Sequence, residues 1–327
     1  MALYLLMIYS SFLVGVNGGW CDNKNTAGQD LVSAYSRLPL SRRGMKHQSD
    51  IKHNLPVEEM IKSEGYPVET YYVTTQDGYV LALHRIPYGK TNNNPTGREA
   101  VLVQHGLLCS SADWVMSTPE KGLGYMLAEA GYDVWLGNYR GNTYSRNHTT
   151  LDPDNGEGSF WDFTWDEMAK YDIPAMIEKV LEVSGKSELQ YVGHSMGTTG
   201  FMAMHHYRTD VAAKVRLAHL LSPVAYVGTM ESPIAWLAGL GPLLDVILGF
   251  FGIGEFLPDN IIIDCLASLF CNEGITQGIC TNILFVLCGY DEPQMNTTLL
   301  PTILHHTPAG ASTSTILHYI QEVKSSK

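Results

Sequence analysis

The sequence is poor in basic side chains. Its 327 residues include 21 Lys and Arg against 33 Asp and Glu, which gives a formal net charge of −12. No run of Lys or Arg is longer than the pair Arg42-Arg43. Nucleic-acid-binding proteins present clustered basic residues to the phosphate backbone, so nucleic acid is not an expected partner. Internal repeats and low-complexity segments are also missing, and a hydrophobic content of 45% excludes a disordered chain.

Long apolar runs are missing as well. A membrane-spanning helix needs about 20 apolar residues, whereas the apolar stretch 233–254 is interrupted by Pro242, Asp245 and several glycines. No transmembrane span is therefore expected in the mature chain. The stretch predicts either a buried helical layer or a cap whose apolar face lines an acyl pocket or meets a lipid surface.

The chain begins with an apolar, uncharged segment that ends in small or polar residues at Asn17-Gly18-Gly19. This pattern predicts a secretory signal peptide over residues 1–19 and a linker over residues 20–55. Because no Lys or Arg precedes the apolar segment, a signal anchor is the alternative. Two glycosylation sequons, at Asn147 and Asn296, agree with export, so a secreted or lysosomal location is expected.

Cysteine is scarce, and six residues are too few for a disulfide scaffold in a chain of this length. No Cys-x-x-Cys or mixed Cys/His spacing typical of zinc is present, so neither a metal nor another cofactor is predicted. Cys271 and Cys280 flank a turn-rich segment that can bring them together. Cys109 has apolar neighbours and is predicted to be a buried small hydrophobic residue.

Strand and helix patterns alternate through the middle of the chain. Segment 69–87 predicts a hairpin. Short apolar runs that end in turns predict buried parallel strands at Ala100–Gln104, Asp133–Leu136, Leu189–Val192 and Ala218–Leu221. Helical patterns lie between them at 122–130, 165–183 and 197–207. This alternation predicts an α/β fold with a mostly parallel sheet covered on both faces. Pro174 is expected to open a new helical turn after Asp172.

The segment Gly193-His194-Ser195-Met196-Gly197 carries the strongest chemical signal. Gly-x-Ser-x-Gly between a strand and a helix is typical of a nucleophile elbow. In such a turn, the glycines allow the strand and helix to pack closely while the strained backbone exposes the hydroxyl. Ser195 is therefore the predicted nucleophile, and a structural turn serine is the alternative.

An ester carbonyl under attack needs N–H donors for the developing oxyanion. The elbow offers the backbone N–H of Met196. A second donor is expected from the loop after an early strand, where Gly106 permits a turn that aims the N–H of Leu107 inward. Leu107 and Met196 are the predicted oxyanion hole, and a simple strand-ending turn is the alternative for His105-Gly106.

Together with longer segments, these motifs resemble the acid lipase family of α/β-hydrolases, which includes gastric and lysosomal acid lipases and insect relatives. The resemblance runs from about Pro56 to the last residue. The matching segments are Gly65-Tyr66-Pro67 with Glu69, Thr75 to Pro87 (TQDGYVLALHRIP), His105 to Trp114 (HGLLCSSADW), Trp135 to Ser145 (WLGNYRGNTYS), Phe160 to Met176 (FWDFTWDEMAKYDIPAM) and Gly193 to Gly197 (GHSMG).

The resemblance implies an α/β-hydrolase core over residues 56–224 and a helical cap over residues 225–327. It also implies a disulfide between Cys271 and Cys280 in that cap. The implied activity is hydrolysis of lipid carboxylic esters, either triacylglycerols or steryl esters, at a lipid–water interface.

The family's acid and base follow the nucleophile in the order Asp, then His, in Gly-x-x-Asp and Asn-His-Leu-Asp segments beyond the cap. Neither segment occurs in the 327 residues, and the last core strands are expected to be missing with them. A chain without these parts is predicted to be inactive or to fold poorly. A fragment, an alternative transcript and a truncated gene model are equal explanations.

A local alternative uses Asp291 as the acid and His305 or His306 as the base, because a strand-like run and a Gly-x-Asp precede the histidines. The connection from Asp291 to His305 is too short for a helical crossover between parallel strands. These residues are therefore predicted to lie in polar loops of the cap.

Three functions are compatible with these features. The first is a lipase that acts through Ser195. The second is a non-catalytic lipid-binding protein or truncated pseudoenzyme that keeps the pocket and cap. The third is an esterase or other serine hydrolase for a different substrate class. The apolar stretch 233–254 favours long acyl chains and so argues against this third function.

Overall fold

The computed structural model describes residues 55–154, 160–230, 254–256 and 296–325. Five predictions fall outside these residues: the signal peptide, the linker up to residue 54, most of the apolar stretch, the Cys271–Cys280 pair and Asp291. The predicted boundary between core and cap stays a prediction.

Six strands form one mixed sheet. They are β1 (Glu69–Thr74), β2 (Val80–Ile86), β3 (Ala100–Gln104), β4 (Asp133–Gly137), β5 (Leu189–His194) and β6 (Val215–Leu221). Their order across the sheet is β1-β2-β4-β3-β5-β6. Strand β2 is antiparallel to both of its neighbours, whereas β4, β3, β5 and β6 are mutually parallel. The predicted hairpin and the mostly parallel sheet are confirmed, although β6 begins three positions before the predicted Ala218.

The sheet is buried on both faces because alternate side chains of its central strands enter two different hydrophobic clusters. In β3, Ala100 and Leu102 join one cluster, while Val101 and Val103 join the other. All five residues of β3 and all five of β4 are buried. Continuous apolar runs are typical of parallel strands covered on both faces, which is why these two strands could be predicted closely.

Helices cover both faces. In chain order they are α1 (Val57–Ser63), a 3₁₀ helix (Ser111–Trp114), α2 (Leu123–Glu129), α3 (Trp165–Glu167), α4 (Ile173–Ser184), α5 (Met196–Tyr207) and α6 (Thr209–Ala212). The buried residues of α1 and α2 belong to one cluster, and those of α4 and α5 belong to the other. The fold is therefore the predicted three-layer α/β arrangement.

The helical segment predicted over residues 165–183 is one continuous run with a change of pitch. A π-helix at Met168–Asp172 joins α3 to α4. As predicted, α4 starts after Asp172, which places Pro174 in its first turn, where the missing proline N–H costs little. The wider π turn was not predicted, because no local residue pattern distinguishes it from an α-helix.

The late part of the chain packs directly on the core. It contains a short 3₁₀ helix (Thr297–Leu299), α7 (Leu300–His306) and α8 (Thr313–Ser325), and the strand β8 (Ala311–Ser312) pairs with β7 (Glu255–Phe256). Ser312 Oγ donates to the Trp161 carbonyl at 2.6 Å, and the Tyr319 hydroxyl donates to Thr199 Oγ at 3.1 Å. Thr199 belongs to α5, so the late segment contacts the helix that follows Ser195. Within the described ranges, no helix is both long and apolar enough to cross a membrane.

Candidate active site

Ser195 stands on the sharp turn between β5 and α5. Its φ of 51° and ψ of −117° lie in a region that residues with a side chain rarely adopt. Such backbone strain costs about 1–3 kcal/mol and persists only where the surroundings enforce it. Here the Ser195 N–H donates to the Leu221 carbonyl at 3.1 Å, and the Thr198 N–H donates to the Ser195 carbonyl at 2.8 Å. The motif predicts this strained turn, and its backbone holds Ser195 in a fixed place.

Two glycines allow the turn to be this tight. A Cβ atom on Gly193 would lie 2.8 Å from the Gly197 carbonyl oxygen. A Cβ atom on Gly197 would lie 2.6 Å from the carbonyl oxygen of Gln104, at the end of β3. Both contacts are with backbone atoms, which cannot rotate away, so any larger residue would push the strand, the turn and the helix apart.

A third glycine places the loop after β3 against Ser195. A Cβ atom on Gly106 would lie 3.1 Å from Ser195 Cβ. Two residues later, Leu108 has a φ of 61°, which turns the chain sharply away. Among the described residues, neither the Leu107 N–H nor the Met196 N–H has a hydrogen-bond acceptor. The structure thus packs the Gly106–Leu107 loop against the elbow that carries Ser195 and Met196.

The late segment anchors the loop that carries Leu107. The Ala309 N–H donates to the Leu108 carbonyl at 2.7 Å, and the Thr143 N–H donates to the Ala309 carbonyl at 2.9 Å. Ala309 therefore links this loop to the loop after β4. The sequence could not predict this link, because the partners are far apart in the chain and bond through backbone atoms.

Asp113 is half-buried behind the same loop. Burial raises the pKa of Asp113, while hydrogen bonds from the Cys109 thiol and Thr307 and the nearby His194 imidazole act in the opposite direction. The Thr307 Oγ atom is 3.4 Å from Asp113 Oδ1. The prediction for Cys109 is wrong in one respect, because its thiol is half-buried and pairs with a carboxylate rather than packing among apolar side chains.

Arg140 is the main site-supporting residue that the sequence did not identify. Its side chain is buried in the loop after β4, where Nε donates to Asp172 Oδ1 at 2.8 Å and Nη1 donates to Asp77 Oδ2 at 2.6 Å. The guanidinium carbon also lies 3.9 Å from the centre of the Tyr79 ring. Burial raises the pKa of Asp172, and the Arg140 charge opposes that shift. A single charge within the motif from Trp135 to Ser145 is the signal that the sequence offers.

His305 and His306 lie in a helix and not in the polar loops that the sequence predicts, and His306 is buried. His305 and His306 end α7, and their rings are 5.0 Å apart in an edge-to-face arrangement. Because Asp291 lies outside the described residues, the alternative triad stays a prediction. Asn147 and Asn296 are exposed, as glycosylation requires. In the part of the chain that the structure covers, no group of three or more His, Cys, Asp or Glu side chains is placed to hold a metal ion.

Two protein-family models match the chain. Residues 57–118 match the model described as a partial alpha/beta-hydrolase lipase region. Residues 99–251 match the model described as the alpha/beta hydrolase fold. The second match includes the loop with Leu107 and the elbow with Ser195.

Curated relatives resemble the chain over most of its length. Human lysosomal acid lipase/cholesteryl ester hydrolase is 43% identical to this chain over 281 residues, which cover 85% of this chain and 69% of the relative.

 Human gastric triacylglycerol lipase is 42% identical over 286 residues, which cover 87% of this chain and 71% of the relative. The lipase lipl-1 of Caenorhabditis elegans is 43% identical over 283 residues, which cover 85% of this chain and 69% of the relative.

Proposed function

The chain belongs to the α/β-hydrolase family of gastric and lysosomal acid lipases, a family of lipid ester hydrolases, and on this basis we propose that Ser195 is its nucleophile. The observation that carries the proposal is the strained elbow. Ser195 is held at a φ of 51° next to two N–H groups that have no acceptor among the described residues. A structural turn serine would need neither the strain nor the free donors.

The proposed reaction breaks the substrate ester in a first step, which forms an acyl-serine ester, and hydrolyses that acyl-serine in a second step. Ser195 Oγ attacks the ester carbonyl carbon, and the carbonyl oxygen becomes an oxyanion beside the N–H groups of Leu107 and Met196. The alcohol then leaves, an acyl-serine remains, and water hydrolyses it through a second oxyanion. A single oxyanion donor typically contributes about 10²- to 10³-fold to such a rate.

A general base must accept the Ser195 proton for attack to be fast. The family's histidine and its aspartate have no counterpart among the 327 residues. The alternative that the sequence offers is His305 or His306 as the base, with Asp291 as its acid. Without a base, only the oxyanion hole and binding remain, which sustain about 10³- to 10⁴-fold catalysis over water.

Substrate and location extend the same proposal. Long-chain triacylglycerols or steryl esters fit the apolar stretch 233–254, and relatives are named for a triacylglycerol and a cholesteryl ester. A secreted or lysosomal location is supported by the apolar residues 1–19 and by the exposed sequons at Asn147 and Asn296. A disulfide between Cys271 and Cys280 agrees with that location.

A fluorophosphonate probe tests the nucleophile directly, because it phosphonylates an activated serine. We expect the full chain to be labelled and Ser195→Ala to be unlabelled. Ser222→Ala is a matched control, since Ser222 also has a positive φ, of 47°, but follows β6. Labelling that persists in Ser195→Ala would refute the assignment.

The base is tested with the same probe. If His305 or His306 accepts the proton, His305→Ala or His306→Ala slows labelling of Ser195. Labelling at the wild-type rate in both variants would eliminate this alternative triad.

The substrate class is tested with p-nitrophenyl esters of increasing chain length. A lipase prefers long chains, whereas a small-ester esterase prefers short ones. Binding of a long-chain fatty acid together with ester turnover equal to buffer would instead identify a non-catalytic lipid-binding protein.

A further inference from the structure

His105 is completely enclosed beside the predicted oxyanion hole, and both of its ring nitrogens make hydrogen bonds. Nδ1 is 2.8 Å from the Gly106 carbonyl oxygen. Nε2 is 3.2 Å from the Tyr139 backbone nitrogen and 3.1 Å from Asn142 Nδ2. The ring is 2% exposed, so water does not compete for these bonds.

These partners determine which nitrogen carries the proton. A carbonyl oxygen only accepts, so Nδ1 must donate to Gly106. A backbone N–H only donates, so Nε2 must accept from Tyr139. Both ends of the ring thus require the same neutral form, with the proton on Nδ1.

Asn142 reinforces this choice. Its Oδ1 atom accepts from the backbone N–H groups of Tyr144 and Ser145, at 3.0 and 3.1 Å. The amide group is therefore oriented with Nδ2 toward His105, and it donates to Nε2. Burial is the main cause that lowers the pKa of His105 to about 4. The hydrogen bond to the Gly106 carbonyl raises this pKa, and the nearby His194 imidazole lowers it.

The proton on Nδ1 matters because its hydrogen bond fixes the orientation of the Gly106 carbonyl. The Gly106 carbonyl and the Leu107 N–H belong to one planar, trans peptide unit, so they point in opposite directions. A fixed direction of the Gly106 carbonyl therefore also fixes the direction of the Leu107 N–H. The same carbonyl also accepts from the Cys109 N–H at 3.3 Å, and Gly106 lies against Ser195.

We infer that His105 is a positioning residue: its Nδ1–H bond to the Gly106 carbonyl aims the Leu107 N–H at the oxyanion, in a neutral form selected by Tyr139 and Asn142. The inference rests on the proposed role of Ser195. His105 does not touch the reacting atoms and transfers no proton.

Two substitutions separate the ends of the ring. Asn at this position can place a donor where Nδ1 stands, but it cannot reach Tyr139. Gln can place an acceptor where Nε2 stands, but it offers no donor near the Gly106 carbonyl. If the inference is right, the labelling rate depends on the hydrogen bond to the Gly106 carbonyl and not on the bond from Tyr139. Both variants lose some stability.

The test is fluorophosphonate labelling of Ser195 in the full chain. We expect His105→Gln to lower the maximal labelling rate about tenfold or more, since loosening an oxyanion donor costs part of the effect of removing it. The probe concentration that gives half of that rate should not change. His105→Asn should label at close to the wild-type rate. Ile177→Val, which shortens a buried side chain of α4, is the control for lost stability.

Nitrogen NMR of the histidine rings provides a readout that does not depend on activity. We expect His105 to show a proton on Nδ1 and no titration above pH about 5. A proton on Nε2, or equal labelling rates for His105→Gln and His105→Asn, would overturn the inference. If the wild-type chain shows the Nδ1 proton but no labelling, the proposed function fails and the inference fails with it. Normal labelling without the Nδ1 proton refutes the inference alone.

Discussion

Two residues after Ser195, the position of Gly197 has no space for a side chain. A Cβ atom there would lie 2.6 Å from the Gln104 carbonyl oxygen and 3.0 Å from the His105 carbonyl oxygen. We predict that Gly197→Ala lowers the free energy of unfolding by about 1–3 kcal/mol, as overpacking does. It should also slow labelling of Ser195, because the helix and the oxyanion loop must separate. Urea denaturation and probe labelling measure the two effects.

Gly185 provides the control for this prediction. It ends α4 with a φ of 67°, and a Cβ atom there would meet nothing within 4 Å. Gly185→Ala should therefore cost only the backbone strain, about 1 kcal/mol, and leave labelling unchanged. Equal labelling losses in the two variants would show that the contacts of Gly197 are not what supports the site.

At this scale, the sequence predicts what is local. The spacing of Gly193, Ser195 and Gly197 was sufficient to predict the strained elbow, because the strain arises within one turn. The state of His105 was not predicted, since it depends on Tyr139 and Asn142 in another loop. The roles of local residues can be inferred from a motif, whereas the choice of proton position needs the fold.

At the scale of structural elements, a buried ion pair joins the loop after β4 to the helical segment that contains Asp172. Arg140 and Asp172 have side chains that are 1% and 0% exposed. We predict that Asp172→Asn lowers the free energy of unfolding by about 3–5 kcal/mol, because it leaves a buried guanidinium with less compensation. The urea midpoint measures the loss.

Two further variants test that explanation. Asp210→Asn breaks an exposed pair with Arg208 and should leave the midpoint unchanged. Adding Arg140→Met to Asp172→Asn should recover part of the loss, because the buried charge is then removed as well. A double variant that is less stable than Asp172→Asn would contradict this account.

The elements themselves follow from the sequence to different extents. The bounds of β3 were predicted correctly because its four apolar residues and Gln104 are followed directly by a turn. Strand β6 starts earlier than predicted because Arg216 interrupts the apolar run without ending the strand. The π-helix at Met168–Asp172 was not predicted, because no pattern of neighbouring residues distinguishes it from an α-helix.

For the whole molecule, we predict a loss of stability in acid. Glu58 in α1 accepts a hydrogen bond from His84 in β2, and this bond is the main cause that lowers the pKa of Glu58 to about 2. A carboxyl group whose pKa is lower in the folded state stabilises the fold above its unfolded pKa, about 4.3, and stops doing so as the pH falls to about 2. Stability should therefore fall over this range.

The contribution of Glu58 can be isolated by substitution. Glu58→Gln should lower the free energy of unfolding at neutral pH by about 1 kcal/mol, a figure reduced for partial exposure, and this difference should vanish near pH about 2. Glu59→Gln, at the exposed neighbouring position, should follow the wild-type curve. A constant difference between Glu58→Gln and wild type across the range would show that protonation of Glu58 is not responsible.

The way that distant segments meet is what the sequence predicts least. The core fold could be derived from alternating strands and helices, but the bond from Ala309 to Leu108 could not. It joins the late segment to the oxyanion loop through backbone atoms, so neither side chain signals it. Contacts of this kind depend on the assembled fold and not on any one segment.

The strained backbone of Ser195 also has an evolutionary meaning. Glycine adopts a φ of 51° without penalty, so Ser195→Gly would relieve strain worth about 1–3 kcal/mol. A lineage that no longer used the hydroxyl would gain stability by that single replacement. A serine at this position is therefore explained by the proposed chemistry of its hydroxyl and not by its contribution to stability.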